Sequence, residues 1–440
     1  MVAEVDGQPR PKKRALCLAG GGPAAGFHIG ALAALEAFGL SFDVWSLSCI
    51  GAWVGIYYNQ LPETGESRAA RTYDFFRSNA FRDTASYRGF PVNKAFAPNL
   101  EAYGSAWLAH VFDPQTYVDV ASIGGDLPGA MEGWHRYLTT PEMWFRKGDR
   151  NAHVLNDILA LHPMSRFLTS MMYLSGINGL SNIYYKDSTF LDGIDLGGLD
   201  VTGQHLDEKT ATQLQHIAQQ HAAGGAPAPE HDVPEIKHNA WRLRNDAAQP
   251  RVDGALRLFN NKWADYWGAG RRLDYLPITH PSLCACSALP YVEQTVQIPN
   301  DHHHEYSEGA LVDTVSFRNL VEDHADLDEI WVCRIVDYHQ VRLQANLHDS
   351  LGNLCEQFAA EVGENDIDLF KTHLRKTVGR IPRVVEVPLQ NKTRIDYRWD
   401  HANLDFGCAE GFDAVLSLLD RQPDLALDVT TTPEWGREDL

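Results

Sequence analysis

The sequence predicts an α/β fold on a mainly parallel sheet, and three stretches near the amino terminus predict it. Residues 14–19, RALCLA, form a short apolar run bounded by GGG, as a strand buried on both faces does. GFHIGALAALEAFG follows, with Phe27, Ala31, Leu32, Leu35 and Phe38 at helical spacing and Gly39 closing the helix. FDVWSLS is a second buried run, and it leads into a helix from about Ile50. Strand, glycine loop, helix, strand and helix in succession make a βαβα opening, which places parallel strands beneath helices.

Further elements follow in order. From about 61 to 180, aromatic- and methionine-rich segments such as LEAYGSAWLAHVFD and MSRFLTSMMYLSGI read as helices joined by polar turns, a helical cap inserted on the sheet domain. Two readings of it stand: ordinary core helices, or an apolar lid that sets Met164, Phe167, Met171 and Met172 against a substrate. Residues 207–220 read as a polar helix, and 221–236, around AAGGAPAP, as a mobile loop. ALRLFNN (255–261) is a strand and HPSLCACSALPYV (280–292) holds a short helix stopped by Pro290. EIWVCRIVD (329–337) is a strongly apolar strand. Residues 1–13 and 426–440 read as loose tails around one domain over 14–425.

The chain's 440 residues are 44% hydrophobic, enough to bury a large core. Its formal net charge of −20 sets aside nucleic acid and anionic membrane surfaces as electrostatic partners. Transient apolar contact with lipid needs no basic patch and stays open. MVAEVDGQPRPKKRALCLAG lacks an apolar core segment, so no secretory leader is expected. No apolar run reaches the roughly 18 residues of a membrane span. Seven cysteines without a CxxC pair read as reduced thiols in a cytoplasmic protein. Consecutive His302, His303 and His304 point to alternate faces of an extended chain, so a solvated loop is expected there, with no metal and no cofactor.

The chemistry concentrates at the first two strand ends. Leu47-Ser48-Cys49-Ile50-Gly51 fits a nucleophile elbow, with cysteine where G-x-S-x-G has serine and leucine where it has the first glycine. Acyl transfer also needs preorganised donors for a tetrahedral oxyanion. Gly20, Gly21 and Gly22 lack side chains and precede a helix amino terminus, so their N–H groups suit that task. A phosphate cradle fits less well, because no Walker lysine follows.

Taken together, LAGGGPAAGFHIGAL, LSCIGA, CSALPYV and YSEGALVDT resemble the patatin-like phospholipases in order and spacing. The resemblance covers roughly 14–60 and 255–337, with a weaker continuation near FGCAEGFDAVLSLL. It implies a patatin-like three-layer sandwich, helices on both faces of a mainly parallel sheet, and acyl hydrolysis of a lipid ester or thioester. Residue by residue, it implies Cys49 as nucleophile, Glu308 as its base, Gly20, Gly21 and Gly22 as the oxyanion loop, and Gly51 and Gly309 as motif glycines. Three positions depart from the pattern: Cys49 stands for serine, Glu308 for aspartate, and Ala24 for a loop arginine. Other assignments stay open: Cys49 as a structural thiol, Ser48 as nucleophile, Asp192 as base, and Asp313 as a turn or capping residue that assists. His28, behind the loop, reads as packing with a supporting role open. Two functions follow: an acyl hydrolase, extending to acyl transfer, or a non-catalytic protein that binds an acyl chain or a protein partner.

Overall fold

The structure is a computed structural model. It describes residues 4–5, 8–9, 12–89, 92–112, 132, 135, 139, 178–183, 188–199, 233–243, 256–269, 275–298, 301, 304–336, 341, 343, 347–376, 381–389 and 396–426. Nine strands form the main sheet: β1 (Arg14–Leu18), β2 (Val44–Leu47), β3 (Glu235–Leu243), β4 (Leu256–Asn260), β5 (Tyr275–Pro277), β6 (Val296–Gln297), β7 (Glu305–Glu308), β8 (Glu329–Cys333) and β9 (Arg383–Val387). β9, β8, β1, β2 and β3 run parallel to their neighbours in that order. β3 then pairs antiparallel with β4 and with β7.

Parallel strands need cover on both faces, and β1 shows how the sequence supplies it. Leu16 and Leu18 join one core with Trp45, Leu47, Trp331 and Cys333. Ala15, Cys17 and Ala19 join the opposite core with Val44, Ile330 and Val332. Helices α1 (Ala25–Ala37), α2 (Ile50–Gln60) and α6 (His401–Arg421) feed the first core, as do α3 (Arg68–Asn79) and α4 (His280–Ser287). Ile367, Phe370 and Leu374 of α5 (Leu347–Lys376) close the second, with Phe370 stacked on Phe317 at 4.1 Å between ring centroids. The result is a three-layer α/β sandwich with a mainly parallel sheet and helices on both faces.

α1 and α6 cross with their backbones touching. Gly26 and Gly30, four apart, share one face of α1; Gly407 and Gly411 do the same on α6. A Cβ on Gly30 would stand 1.9 Å from the Cys408 carbonyl oxygen, and one on Gly411 would stand 2.0 Å from that of Phe27. Neither neighbour is a flexible side chain, so the helices themselves must separate. Gly30→Ala is therefore expected to cost about 3 kcal/mol. A urea midpoint equal to that of the parent would refute this close crossing.

The chain divides into two compact units, 1–97 with 183–290 and 295–440, and 98–182 with 291–294. In the second, strand Gly179–Asn182 lies parallel to Tyr291–Glu293, and the Tyr103 hydroxyl of helix Leu100–Phe112 donates to the Leu180 carbonyl at 3.0 Å. The expected insertion from about 61 thus starts later. Residues 61–97 belong to the first unit because Glu36 takes the Arg68 and Ala69 N–H groups while Phe75 stacks on Tyr57 at 3.9 Å. Other boundaries move as well. Within the expected 1–13 tail, Glu4–Val5 pairs with Gln8–Pro9, and Lys12 ion-pairs with Glu329 at 2.8 Å. The expected loop 221–236 gives way to β3 at Glu235, held by an N–H bond to the Asp43 carbonyl. The 207–220 segment and the side chains of Met164, Phe167, Met171 and Met172 lie outside the described residues. Among the described residues no helix is long and apolar enough to cross a membrane.

Candidate active site

Sheet register explains how two residues far apart in sequence meet. β4 flanks Lys237–Trp241 of β3 along one edge without a break. The other edge is shared end to end: β2 takes Glu235–His238 and β7 takes Ala240–Leu243. β2 runs with β3 and β7 runs against it, so their carboxyl ends face each other across Asn239. Leu47 sits opposite His238 and Glu308 opposite Ala240. One residue beyond Ser48, Cys49 arrives where β7 ends, and its thiol hydrogen-bonds the Glu308 carboxylate.

The bend at Cys49 is tight. Its φ of 49° and ψ of −121° fall outside the regions open to L-residues, including the left-handed helical one. Such geometry costs about 1–3 kcal/mol and concentrates at functional sites. The turn closes because Gly51 has no side chain: a Cβ there would stand 2.3 Å from the Leu18 carbonyl oxygen. Gly309 plays the matching part after Glu308, where a Cβ would stand 2.5 Å from Asn239 Oδ1. Cys49 caps α2, whose amino terminus favours negative charge on the sulfur. Its own N–H donates to Cys286 Sγ at 3.1 Å.

α4 and the residues after it position both partners. Cys286 receives that N–H, Ser287 Oγ receives the Trp53 indole N–H at 3.0 Å, and the Ala288 carbonyl receives the Glu308 N–H at 2.9 Å. Burial pushes the Glu308 carboxyl up to about 7, against the opposing effect of the Cys49 hydrogen bond.

The glycine loop borders the same point. A Cβ on Gly20 would stand 3.1 Å from the Cys49 Cβ and 2.8 Å from that of Ala310. Gly20 is nonetheless not equivalent to its neighbours as a donor, because its N–H goes to the Thr314 carbonyl at 3.3 Å. Gly21 and Gly22, at φ 153° and 57°, have N–H groups with no hydrogen-bond partner among the described residues. His28 Nε2 donates to the Ala19 carbonyl at 2.8 Å and so fixes the strand end that precedes the loop. Burial lowers His28 to about 4, which keeps it neutral near pH 7. The loop therefore offers amide dipoles and no cation.

The alternatives separate on geometry. Ser48 is fully buried, its hydroxyl engaged with Asn239 Oδ1 at 3.0 Å and the Asp313 carbonyl at 3.2 Å, so it cannot face a substrate. Asp192 ends the short helix Thr189–Asp192 and is exposed. Asp313 holds a turn: its Oδ1 accepts the Ser316 N–H at 3.0 Å, and burial raises its carboxyl. Of the histidine triplet, His304 pairs with Asp301 at 2.5 Å, and His302 and His303 lie outside the described residues. Among the described residues no group of three or more His, Cys, Asp or Glu is gathered as a metal site. A cavity of about 410 Å³ opens at the opposite strand ends, among Phe42, Asp43, Arg68 and Glu235, and holds none of the motif residues.

Sequence reasoning missed Cys286 and Asn239. Cys286 was within reach, since it directly precedes the SALP segment. Asn239 shows only in the register.

The family model for patatin-like phospholipase matches residues 16–321, well over half of the chain. Among solved structures, the crystal structure of VipD from Legionella pneumophila is similar at 12% identity and a TM-score of 0.32, over 94% of this chain and 67% of that one. No curated protein matches the chain.

Proposed function

The chain belongs to the patatin-like phospholipase family, and from that premise we propose that it is an acyl hydrolase working through Cys49 and Glu308. The family acts on lipid esters. In the proposed cycle the thiol proton passes to Glu308 as sulfur bonds to the substrate carbonyl carbon. The tetrahedral oxyanion points at the Gly21 and Gly22 N–H groups. Collapse breaks the bond to the leaving oxygen or sulfur, which takes the proton from Glu308. Water then attacks the thioester carbonyl and gives its proton to Glu308; collapse breaks the carbon–sulfur bond, the sulfur takes that proton back, and the acid leaves.

One observation carries this proposal: a thiol held at a strained bend hydrogen-bonds a buried carboxyl beside amide donors that have no partner among the described residues. The magnitudes are favourable for sulfur. With reference values of about 8.5 for a thiol and 4.3 for glutamate, proton transfer costs about 6 kcal/mol. Burial raises the Glu308 carboxyl to about 7, which makes it a stronger base and narrows that gap. A serine hydroxyl is far less acidic and gains too little from the same base. A thioester intermediate is also open to amines and thiols, so acyl transfer belongs within the proposal.

The test is a stopped-flow burst with a short-chain p-nitrophenyl ester, followed by peptide mass analysis. An acyl adduct on Cys49 and a burst of one equivalent are expected. Their absence would turn the proposal over to the non-catalytic binding role. Cys49→Ser is expected to be at least about tenfold less active than the parent, because the base is matched to a thiol. Equal or higher activity in that variant would refute the matching.

A further inference from the structure

Beyond the residues matched to the family, α5 and the segment before α6 bring Cys355 and Tyr397 to the site. The Tyr397 ring lies on the glycine loop. A Cβ on Gly22 would stand 3.1 Å from both its Cε2 and its hydroxyl oxygen. That hydroxyl hydrogen-bonds the Cys355 thiol, and Cys355 in turn feels the charge of Glu308. Glu308 bonds Cys49, and Cys49 touches Gly20. Contacts and electrostatic interaction therefore link Cys49, Glu308, Cys355, Tyr397 and the glycine loop in a ring.

Tyr397 is also fixed to the loop. The buried Asn403 amide donates to the Pro23 carbonyl at 3.2 Å, to the Asp396 carbonyl at 2.8 Å and to the Arg398 carbonyl at 2.9 Å. Asn403 thereby clasps both neighbours of Tyr397 to the residue after Gly22. Asn403 itself is held by its N–H bond to Asp400 at 2.9 Å. Tyr397 and Cys355 are half-buried, so the ring is not sealed from solvent.

We infer that Tyr397 is a catalytic donor whose hydroxyl joins the Gly21 and Gly22 N–H groups in binding the oxyanion. This rests on the acyl-transfer reading of Cys49. The loop AGGGPAAG carries no cation, and the nearby His28 is neutral, so neutral donors must hold the developing charge. Burial pushes the Cys355 thiol up to about 11, so it stays protonated near neutral pH. Its S–H can then donate to the tyrosine oxygen while the tyrosine O–H turns to the substrate. Asn403 is the positioning residue.

Tyr397→Phe keeps the ring on Gly22 and removes only the hydroxyl. With p-nitrophenyl butyrate its acylation rate is expected to fall about 10²-fold, with the thermal midpoint unchanged. The matching p-nitrophenyl thionobutyrate, whose carbonyl sulfur accepts hydrogen bonds poorly, separates a donor from a scaffold. For that substrate parent and variant are expected to acylate within about threefold of each other. Equal loss on both substrates, or a variant as fast as the parent, would overturn the role of Tyr397 while leaving Cys49 as nucleophile. A parent that forms no acyl adduct on Cys49 would overturn both.

Discussion

Cys49→Ala is expected to lower p-nitrophenyl ester turnover by at least about 10³-fold and to abolish iodoacetamide labelling at neutral pH in the elbow peptide. The expected loss is large because no neighbour can replace the sulfur. Ser48 is buried and engaged with Asn239 and Asp313, and Cys286 is fully buried behind the Cys49 N–H. Stability should follow a different course. Alanine at φ 49° keeps the strain and loses only a sulfur, whereas glycine adopts that backbone freely. Cys49→Gly is therefore expected to unfold about 1–2 kcal/mol later than Cys49→Ala, although both are inactive. More than a tenth of parental turnover in either variant would sink Cys49 as the nucleophile.

Glu308→Gln is expected to cost about 10²–10⁴-fold in kcat/KM, the usual range for a lost general base. Parental activity should rise through pH 7 as the carboxyl, raised to about 7, gives up its proton; the glutamine variant should lack that step. The stability effect has the opposite sign. Between 4.5 and about 7 the folded chain keeps a proton that the unfolded chain has released. Stability from this group is therefore greatest below 4.5 and falls as pH rises, by on the order of 3 kcal/mol in total. The thermal midpoint of Glu308→Gln minus that of the parent should grow between pH 5 and pH 8. A difference that shrinks with pH would mean that the carboxyl is not held in its raised state. Loss of activity beside gain of stability would mark a residue kept for chemistry.

Much of the site was legible because its physics is local. A glycine triplet between a buried strand and a helix, and a cysteine two before a glycine at the next strand end, each describe a turn that neighbouring residues enforce. Gly51 illustrates this: the Leu18 carbonyl leaves no space for a side chain there. The fold class was legible for a similar reason, since RALCLA and FDVWSLS carry apolar residues on both faces and so demand helices above and below. The difference between Gly20 and its neighbours was not legible. It depends on a Thr314 carbonyl that reaches the loop across the sheet. The start of the second unit at 98 was also hidden, because α3 is tied down by Glu36 and by ring stacking on Tyr57.

The sequence alone determined the layers, the strand ends where the candidate site lies, and which thiol and carboxyl are proposed for it. Periodicity and turn chemistry act over a few residues and are written where they act. Tertiary structure alone decided that β2 and β7 share one edge of β3 and end facing each other. It also decided that Glu308 is buried enough to hold its proton near neutral pH, and that Tyr397 reaches the loop through Asn403. Those outcomes depend on strand register and on which surfaces lose water. Both are set by pairings between segments hundreds of residues apart, which no local pattern encodes.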